Sequence, residues 1–298
     1  MSGRILIVGS AGQVGVELQR SFADYGEITA RDRDTFDLAD PDQVRALVRE
    51  VEPSIILNAA AYTAVDRAES DPEAAMAVNA LASRVLAEEA LRADALLVHY
   101  STDYVFDGSK PGPWVETDKP HPLNVYGASK LAGEEAIQKV GGKYLIFRTS
   151  WVYGPHGNNF LLTMLRLGSE RDQLSIVDDQ YGAPTTSIEL ADATRAIVGG
   201  VLAGQFGSTE NWAGLYHMTC AGQTSWYDFA RTFLEREAAR NPEKRMARCV
   251  PISSSEFPLP ARRPRNSVLS NEKLRRGLRI ELPDWSSAMD SVLQEMAR

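Results

Sequence analysis

Arg4-Ile5-Leu6-Ile7-Val8 reads as a buried parallel strand: short, apolar and β-branched. It runs into Gly9-Ser10-Ala11-Gly12-Gln13-Val14-Gly15, and a helical pattern follows through Val16, Leu18 and Phe22. Strand, glycine turn and helix, in that order, admit few folds. Gly9 permits the tight turn. Gly12 lets the backbone approach a pyrophosphate at the helix N-terminus, where free N–H groups and the dipole favour an anion. Gly15 allows the helix to pack closely on the strand. Gln13 and Val14 open the helix and belong to the same cofactor-binding turn. A bare strand-to-helix turn would use the same residues, but three glycines in this setting favour a dinucleotide.

The unit then repeats. Candidate strands are Glu27–Ala30, Ser54–Asn58, Ala95–Ser101, Tyr144–Thr149, Leu174–Val177 and Leu215–Thr219. Helical patterns lie between them at Pro72–Leu91, Asn124–Val140 and Ile188–Leu202. Strands alternating with helices predict an α/β fold with a doubly wound parallel sheet, the Rossmann arrangement. After Thr219 the alternation fades. Ser225 can cap a helix through Arg240, a short strand follows near Arg248–Pro251, and a proline-rich loop leads to two short helices. The break predicts a smaller C-terminal, substrate-binding lobe. The expected partition is 1–153, continued by about 187–217, for the nucleotide-binding domain, and 154–186 with 218–298 for the lobe.

Tyr126-Gly-Ala-Ser-Lys130 carries the clearest chemistry. A tyrosine and a lysine four residues apart share one helix face. A phenol titrates near 10, and a neighbouring ammonium is expected to lower that value and make the pair an acid/base. The bland alternative is a solvated helix face. Ser101-Thr102-Asp103 follows the fourth strand, at the carboxyl end where ligands gather in such sheets. The Thr102 hydroxyl could hold a substrate carbonyl oxygen; a plain turn would use the same residues. Ala59, Ala60 and Ala61 are small enough for a ribose or ring to lie against the backbone, or for a helix simply to pack there. Asp37-Leu38 is placed to meet an adenine. Arg31-Asp32-Arg33 sits where the cofactor's 2′-position is read. An acid favours NAD and an arginine favours NADP, so the residues alone leave both open; NADPH is the expectation, with NADH the alternative. Asn79 lies inside a helix that it does not favour, and is read as a tie to the neighbouring strand.

Read together and in order, these motifs resemble a known group. They are Gly9/Gly12/Gly15, Asn58-Ala-Ala-Ala, Ser101-Thr-Asp-Tyr-Val-Phe-Asp-Gly108, Tyr126-Gly-Ala-Ser-Lys130, Arg148-Thr-Ser-Trp-Val-Tyr153, Asp179-Gln-Tyr-Gly-Ala-Pro-Thr185 and Ala261-Arg-Arg-Pro-Arg-Asn-Ser267. Their order and spacing are similar to those of the extended short-chain dehydrogenase/reductases that act on nucleotide sugars, and within them the dTDP-4-dehydrorhamnose reductase family. The resemblance implies Thr102, Tyr126 and Lys130 as the catalytic group, with Lys130 also binding the nicotinamide ribose. It implies a nucleotide-sugar substrate, touched by Thr102, Asp103, Trp151, Asn158, Arg262 and Arg263. Asn158 or Asn159 would cap the next helix or reach the nucleotide, one of them and not both. Related 4,6-dehydratases carry Thr-Asp-Glu at the strand end, and their two acids eliminate water. Here the third residue is Tyr104, which favours simple ketone reduction. Two rivals follow from the same resemblance: a reductase of another nucleotide-4-ketosugar, and a non-catalytic regulatory subunit.

Bulk properties bound the partners. A net charge of −8 argues against nucleic acid or an anionic membrane. Cys220 and Cys249 are too few for a disulfide framework, and four scattered histidines make no zinc cluster. The apolar run after Met1 is strand-length, so a cytoplasmic enzyme is expected. An exposed apolar helix face would make a homodimer. Some family members are described with Mg2+ on acids that include a glutamate at the position of Glu17. Glu189 falls one place from where a further acid belongs, and Glu17 reads as a helix-surface residue, so no metal site is predicted.

Overall fold

The computed structural model describes residues 3–297. Met1, Ser2 and Arg298, at the outer ends of the expected domains, lie outside the described residues. Five strands begin the main sheet: β1 (Gly3–Val8), β2 (Gly26–Arg31), β3 (Ile55–Asn58), β4 (Leu96–Thr102) and β5 (Tyr144–Thr149). Gly214–His217 adds an edge strand. The order is edge strand, β5, β4, β3, β1, β2, and every pairing is parallel. The chain reverses its direction of travel across the sheet at β1, so the switch point lies between β1 and β3. In open sheets of this kind the ligand crevice forms there, beyond the carboxyl ends of the strands.

Burial explains why these runs became central strands. Ile5 and Ile7 enter the core on one face, with Leu18, Phe22 and Ile197. Leu6 and Val8 enter the core on the other, with Val44, Val48 and Val85. A parallel strand covered on both faces must be apolar at every position. The helix Gln13–Ser21 returns antiparallel to β1, and the helix Ser187–Leu202 packs against it. Gly9 adopts φ +84, and a side-chain carbon there would meet the Ala60 backbone at 2.6 Å. A Cβ on Gly15 would lie 2.1 Å from the Gly9 carbonyl oxygen. These two positions set the tightness of the turn and bring it against the loop after β3.

The remaining elements form a smaller body. Gln173–Val177 is a strand, as expected, but not of the main sheet: it pairs in parallel with Arg248–Ile252. Leu174 and Ile176 are buried while Gln173 and Ser175 are exposed. That alternation marks a strand with one wet face, which a central parallel strand cannot have. Around it lies a third core of Tyr153, Leu161, Leu165, Phe229, Phe233, Met289 and Val292. Ser225 caps the helix Trp226–Arg240 by accepting from the Asp228 N–H. The C-terminal segment is shared: Met289 and Leu293 join the third core, whereas Leu274 and Leu278 pack under the main sheet.

Candidate active site

The first helix has an N-terminus built for an anion. Gly12 is its N-cap, no side chain caps it, and no acid lies in its first turn. Its leading N–H groups are therefore open, and a negative charge there is favoured by the dipole. Gly9 N–H and Ser10 N–H donate to the Arg31 carbonyl, at 2.8 and 3.1 Å, so the turn is tied to the end of β2. Gln13 is joined across the crevice to Asn159, whose Nδ2 donates to Gln13 Oε1 at 3.0 Å. Ala59, Ala60 and Ala61 are half-buried beside the turn, with the Ala59 N–H on the Val8 carbonyl.

Arg31, Asp32 and Arg33, expected where a cofactor's 2′-position is read, lie at the end of β2 and in the loop after it. Asp32 is committed to its own turn, its Oδ1 accepting from the Asp34 N–H and the Thr35 hydroxyl. Arg31 donates to the Ala30 carbonyl, Arg33 is exposed, and neither is in an ion pair among the described residues. Asp37 is exposed, and its Oδ1 accepts from the Ala39 N–H. Leu38 is buried in the second core with Phe36, so its side chain anchors the loop.

Thr102, Tyr126 and Lys130 come together at the ends of β4 and the helix Val125–Val140. Asn124 caps that helix, accepting from the Gly127 N–H at 2.7 Å, and its Nδ2 holds the Arg262 carbonyl. Tyr126 is half-buried and meets the Tyr104 ring edge-on at 5.9 Å. Burial pushes its phenol up to about 12; hydrogen bonding with Thr102 resists this and the charge of Asp103 adds to it. The expected lowering by Lys130 is absent because the ammonium turns inward. Its Nζ donates to the Tyr100 carbonyl at 2.6 Å and lies 3.2 Å from His99 Nε2. Burial lowers Lys130 to about 8, and the charge of Glu134 opposes that. A protonated phenol is nevertheless the state needed to give up a proton, since an alkoxide is the stronger base.

Asp103 is buried beside them. Thr102 Oγ1 donates to its Oδ1 at 2.9 Å, while Oδ2 is buried with no hydrogen-bond partner. Burial raises its carboxyl to about 7, and the Ser267 and Thr102 hydroxyls offset only part of that cost. The unfolded carboxyl ionises near 3.8, so the folded chain holds a proton that the unfolded chain has lost. Stability therefore falls as pH rises from about 4 to about 7, by on the order of 4 kcal/mol. Asp103→Asn should gain stability at pH 8 and show a flatter profile over that interval. Urea midpoints across pH measure it; equal slopes in the two proteins would remove Asp103 as the cause.

Of the residues expected on the substrate side, Arg263 is already engaged. It donates through both Nη atoms to Asp66 at 2.6 Å, and to the Ala261 carbonyl. Arg262 and Arg265 are exposed and in no ion pair among the described residues, so both remain free cations of the loop. Trp151 stacks on Trp226 with ring centroids 3.6 Å apart. It holds φ +48, a strained value for a bulky residue and one that often marks a functional position. Asn159 takes the capping role, accepting from the Leu162 N–H at 2.9 Å, and Asn158 is exposed. Asn79 lies in a π-helical turn, Ala77–Leu81, inside the helix expected over 72–91. Its side chain bonds the Tyr62 backbone and the Ser129 hydroxyl, joining the loop after β3 to the tyrosine–lysine helix.

A further reading of the sequence is corrected. Glu17 is not on the helix surface: it is 3% exposed and paired with Arg20 at 2.8 Å. Burial, with Asp192 nearby, raises Glu189. Among the described residues, no three His, Cys, Asp or Glu side chains are grouped to hold a metal ion. Also among them, no helix is long and apolar enough to cross a membrane.

A doubly wound parallel sheet with a threonine, a tyrosine and a lysine gathered at its crevice defines an extended short-chain dehydrogenase/reductase. A family model described as the RmlD substrate binding domain matches residues 3–298. The chain is 48% identical to the dTDP-4-dehydrorhamnose reductase of Burkholderia thailandensis, over 98% of this chain and 99% of that protein. It is 44% identical to the dTDP-4-dehydrorhamnose reductase of Escherichia coli K12, over 98% and 97%. The crystal structure of the Bacillus anthracis dTDP-4-dehydrorhamnose reductase in complex with NADP matches with a TM-score of 0.89 at 35% identity, over 99% of this chain and all of that one. The chain belongs to the dTDP-4-dehydrorhamnose reductase family.

Proposed function

We propose that this chain is an NAD(P)H-dependent reductase of the 4-keto group of dTDP-4-dehydro-β-L-rhamnose, giving dTDP-L-rhamnose. The observation that carries this is the convergence of Thr102, Tyr126 and Lys130 at the crevice, with Tyr104 where an eliminating enzyme needs an acid. Reduction of a ketone needs one hydride and one proton. A bound nicotinamide cofactor supplies the hydride. Its pyrophosphate fits the open N-terminus after Gly12, with Gln13 and Val14 behind it, and its rings fit the small residues Ala59–Ala61. Arg31 and Arg33, unpaired, suit a 2′-phosphate, and Asp32 is spent on its own turn; this supports NADPH over NADH. Asp37 remains available to an adenine amino group.

The keto oxygen is held by the Thr102 and Tyr126 hydroxyls, and Tyr126 gives it a proton as C4 is reduced. Lys130, bonded inward to the Tyr100 carbonyl and near His99, lies one turn behind the phenol and would supply positive charge to the developing alkoxide by turning back toward the crevice. Arg262 meets the substrate pyrophosphate, Asn158 the nucleotide, and Trp151 the apolar face of the deoxysugar. Arg263 acts on the pyrophosphate only by releasing Asp66. The setting proposed is cytoplasmic. Sedimentation velocity decides the homodimer expected from the sequence.

NADPH oxidation, followed by absorbance with a panel of nucleotide-4-ketosugars, tests this reading. The dTDP-4-dehydro-L-rhamnose reaction should show the highest kcat/KM, and NADH should support it less well. Higher kcat/KM with another base or sugar would reassign the substrate. No oxidation with any sugar would overturn the enzymatic reading in favour of a binding role.

A further inference from the structure

Lys130 has a partner outside the Tyr126–Lys130 segment. His99 stands on β4 and is 1% exposed; its Nε2 lies 3.2 Å from Lys130 Nζ. Its Nδ1 lies 3.0 Å from Asn58 Nδ2, across the β3–β4 pair where Asn58 and His99 are in register. Asn58 is also 1% exposed, and its Oδ1 is buried with no hydrogen-bond partner. Three polar side chains thus run in a line from the crevice into the sheet.

The line has a polarity that Lys130 dictates. An ammonium can only donate. While Lys130 is charged, His99 must be neutral and accept at Nε2, which puts the ring proton on Nδ1. Nδ1–H then needs an acceptor, and Asn58 supplies Oδ1 when its carboxamide turns over. When Lys130 loses its proton, the ring can reverse: Nε2–H donates to the amine, and Nδ1 accepts from Asn58 Nδ2. Both charge states are then bonded without any backbone movement. Burial and the Lys130 charge hold His99 well below its ordinary range, so the ring is neutral throughout. Other charged groups face Lys130 too. Glu134 lies one turn on in the same helix, with Arg148 of β5 bound to it, and Tyr126 lies one turn before.

We propose that His99, oriented by Asn58, is a positioning residue for the catalytic lysine: it receives the Lys130 ammonium through Nε2 and keeps it charged in the buried site. The inference rests on the reductase reading only for its kinetic arm. Removing an acceptor from a buried cation favours the neutral amine, so the lysine should ionise lower. A hydrogen bond to a charged group corresponds to a shift of about one to two pH units.

The first measurement needs no substrate. The protein is labelled with 13C at lysine Cε, the Lys130 signal is assigned with Lys130→Arg, and it is titrated by NMR. His99→Phe should move the Lys130 midpoint down by about one unit or more. His99→Gln, whose amide can accept near the Nε2 position, should restore it. The alkaline limb of kcat/KM with NADPH and dTDP-4-dehydro-L-rhamnose should shift in step with the NMR midpoints. If His99→Phe does not fold, Asn58→Leu carries the test, with a shift in the same direction. An unmoved Lys130 midpoint in a folded variant overturns the proposal, as does a His99→Gln protein that behaves like His99→Phe. Because the NMR arm runs on the free protein, a wrong substrate assignment would silence the kinetics and leave this result standing.

Discussion

Tyr126→Phe is expected to lower kcat by about a hundred- to ten-thousand-fold while NADPH binds as before. The variant deletes one oxygen. The ring keeps its edge-on contact with Tyr104 at 5.9 Å, and the helix keeps its Asn124 cap. What is lost is the proton donor, which acts only as the carbonyl oxygen gains charge. Such a loss lowers kcat and kcat/KM together and leaves ground-state binding nearly intact. Because burial pushes Tyr126 up to about 12, the wild-type donor stays protonated through neutral and mildly alkaline pH. The fall in wild-type rate on the alkaline side should instead follow Lys130, which burial lowers to about 8. Stopped-flow reduction and fluorescence titration with NADPH make both measurements. Near-native turnover would remove Tyr126 from its role; loss of NADPH binding would make the role structural.

The elements of this fold were legible because buried parallel strands leave apolar runs bounded by turns. Tyr144–Thr149 matches its expected limits, and the other central strands differ by a residue or two. Sheet membership was harder. Gln173–Val177 reads as a strand from its composition, but only its alternate burial shows that it belongs to the smaller body. The glycine turn and Tyr126-x-x-x-Lys130 were legible because their chemistry is local in the chain. Partners brought together by register were not. Asn58 and His99 are 41 residues apart and meet across β3 and β4. Asp66 and Arg263 are 197 apart, and the pair ties down a cation expected to be free. Spacing also placed Lys130 on the same face as Tyr126 without giving the direction of its ammonium. The side chain's reach lets it choose the Tyr100 carbonyl and His99, so the expected effect on the phenol did not appear.

Removing Glu134 should show what the buried ion pair behind Lys130 is for. Glu134 and Arg148 are 1% and 3% exposed and joined by three hydrogen bonds, Nε to Oε1 at 2.9 Å, Nε to Oε2 at 3.2 Å and Nη2 to Oε2 at 2.6 Å. Ser101 also donates to Glu134, and Phe106 lies under the guanidinium at 5.0 Å. Arg148 Nη1 is buried with no partner. Glu134→Ala leaves that cation uncompensated and should cost about 3–5 kcal/mol, read as a lower urea midpoint. Glu134→Leu with Arg148→Met removes both charges and should recover most of that loss, because two desolvated ions give way to packed side chains. Activity should not recover with it. The Glu134 charge is what opposes the burial of Lys130, so without it the lysine loses its proton at lower pH. The double variant is therefore expected to be stable but slow, with its alkaline limb moved to lower pH. A double variant as unstable as Glu134→Ala would make the pair structural. One with wild-type rate and pH profile would show that Lys130 does not depend on the Glu134 charge.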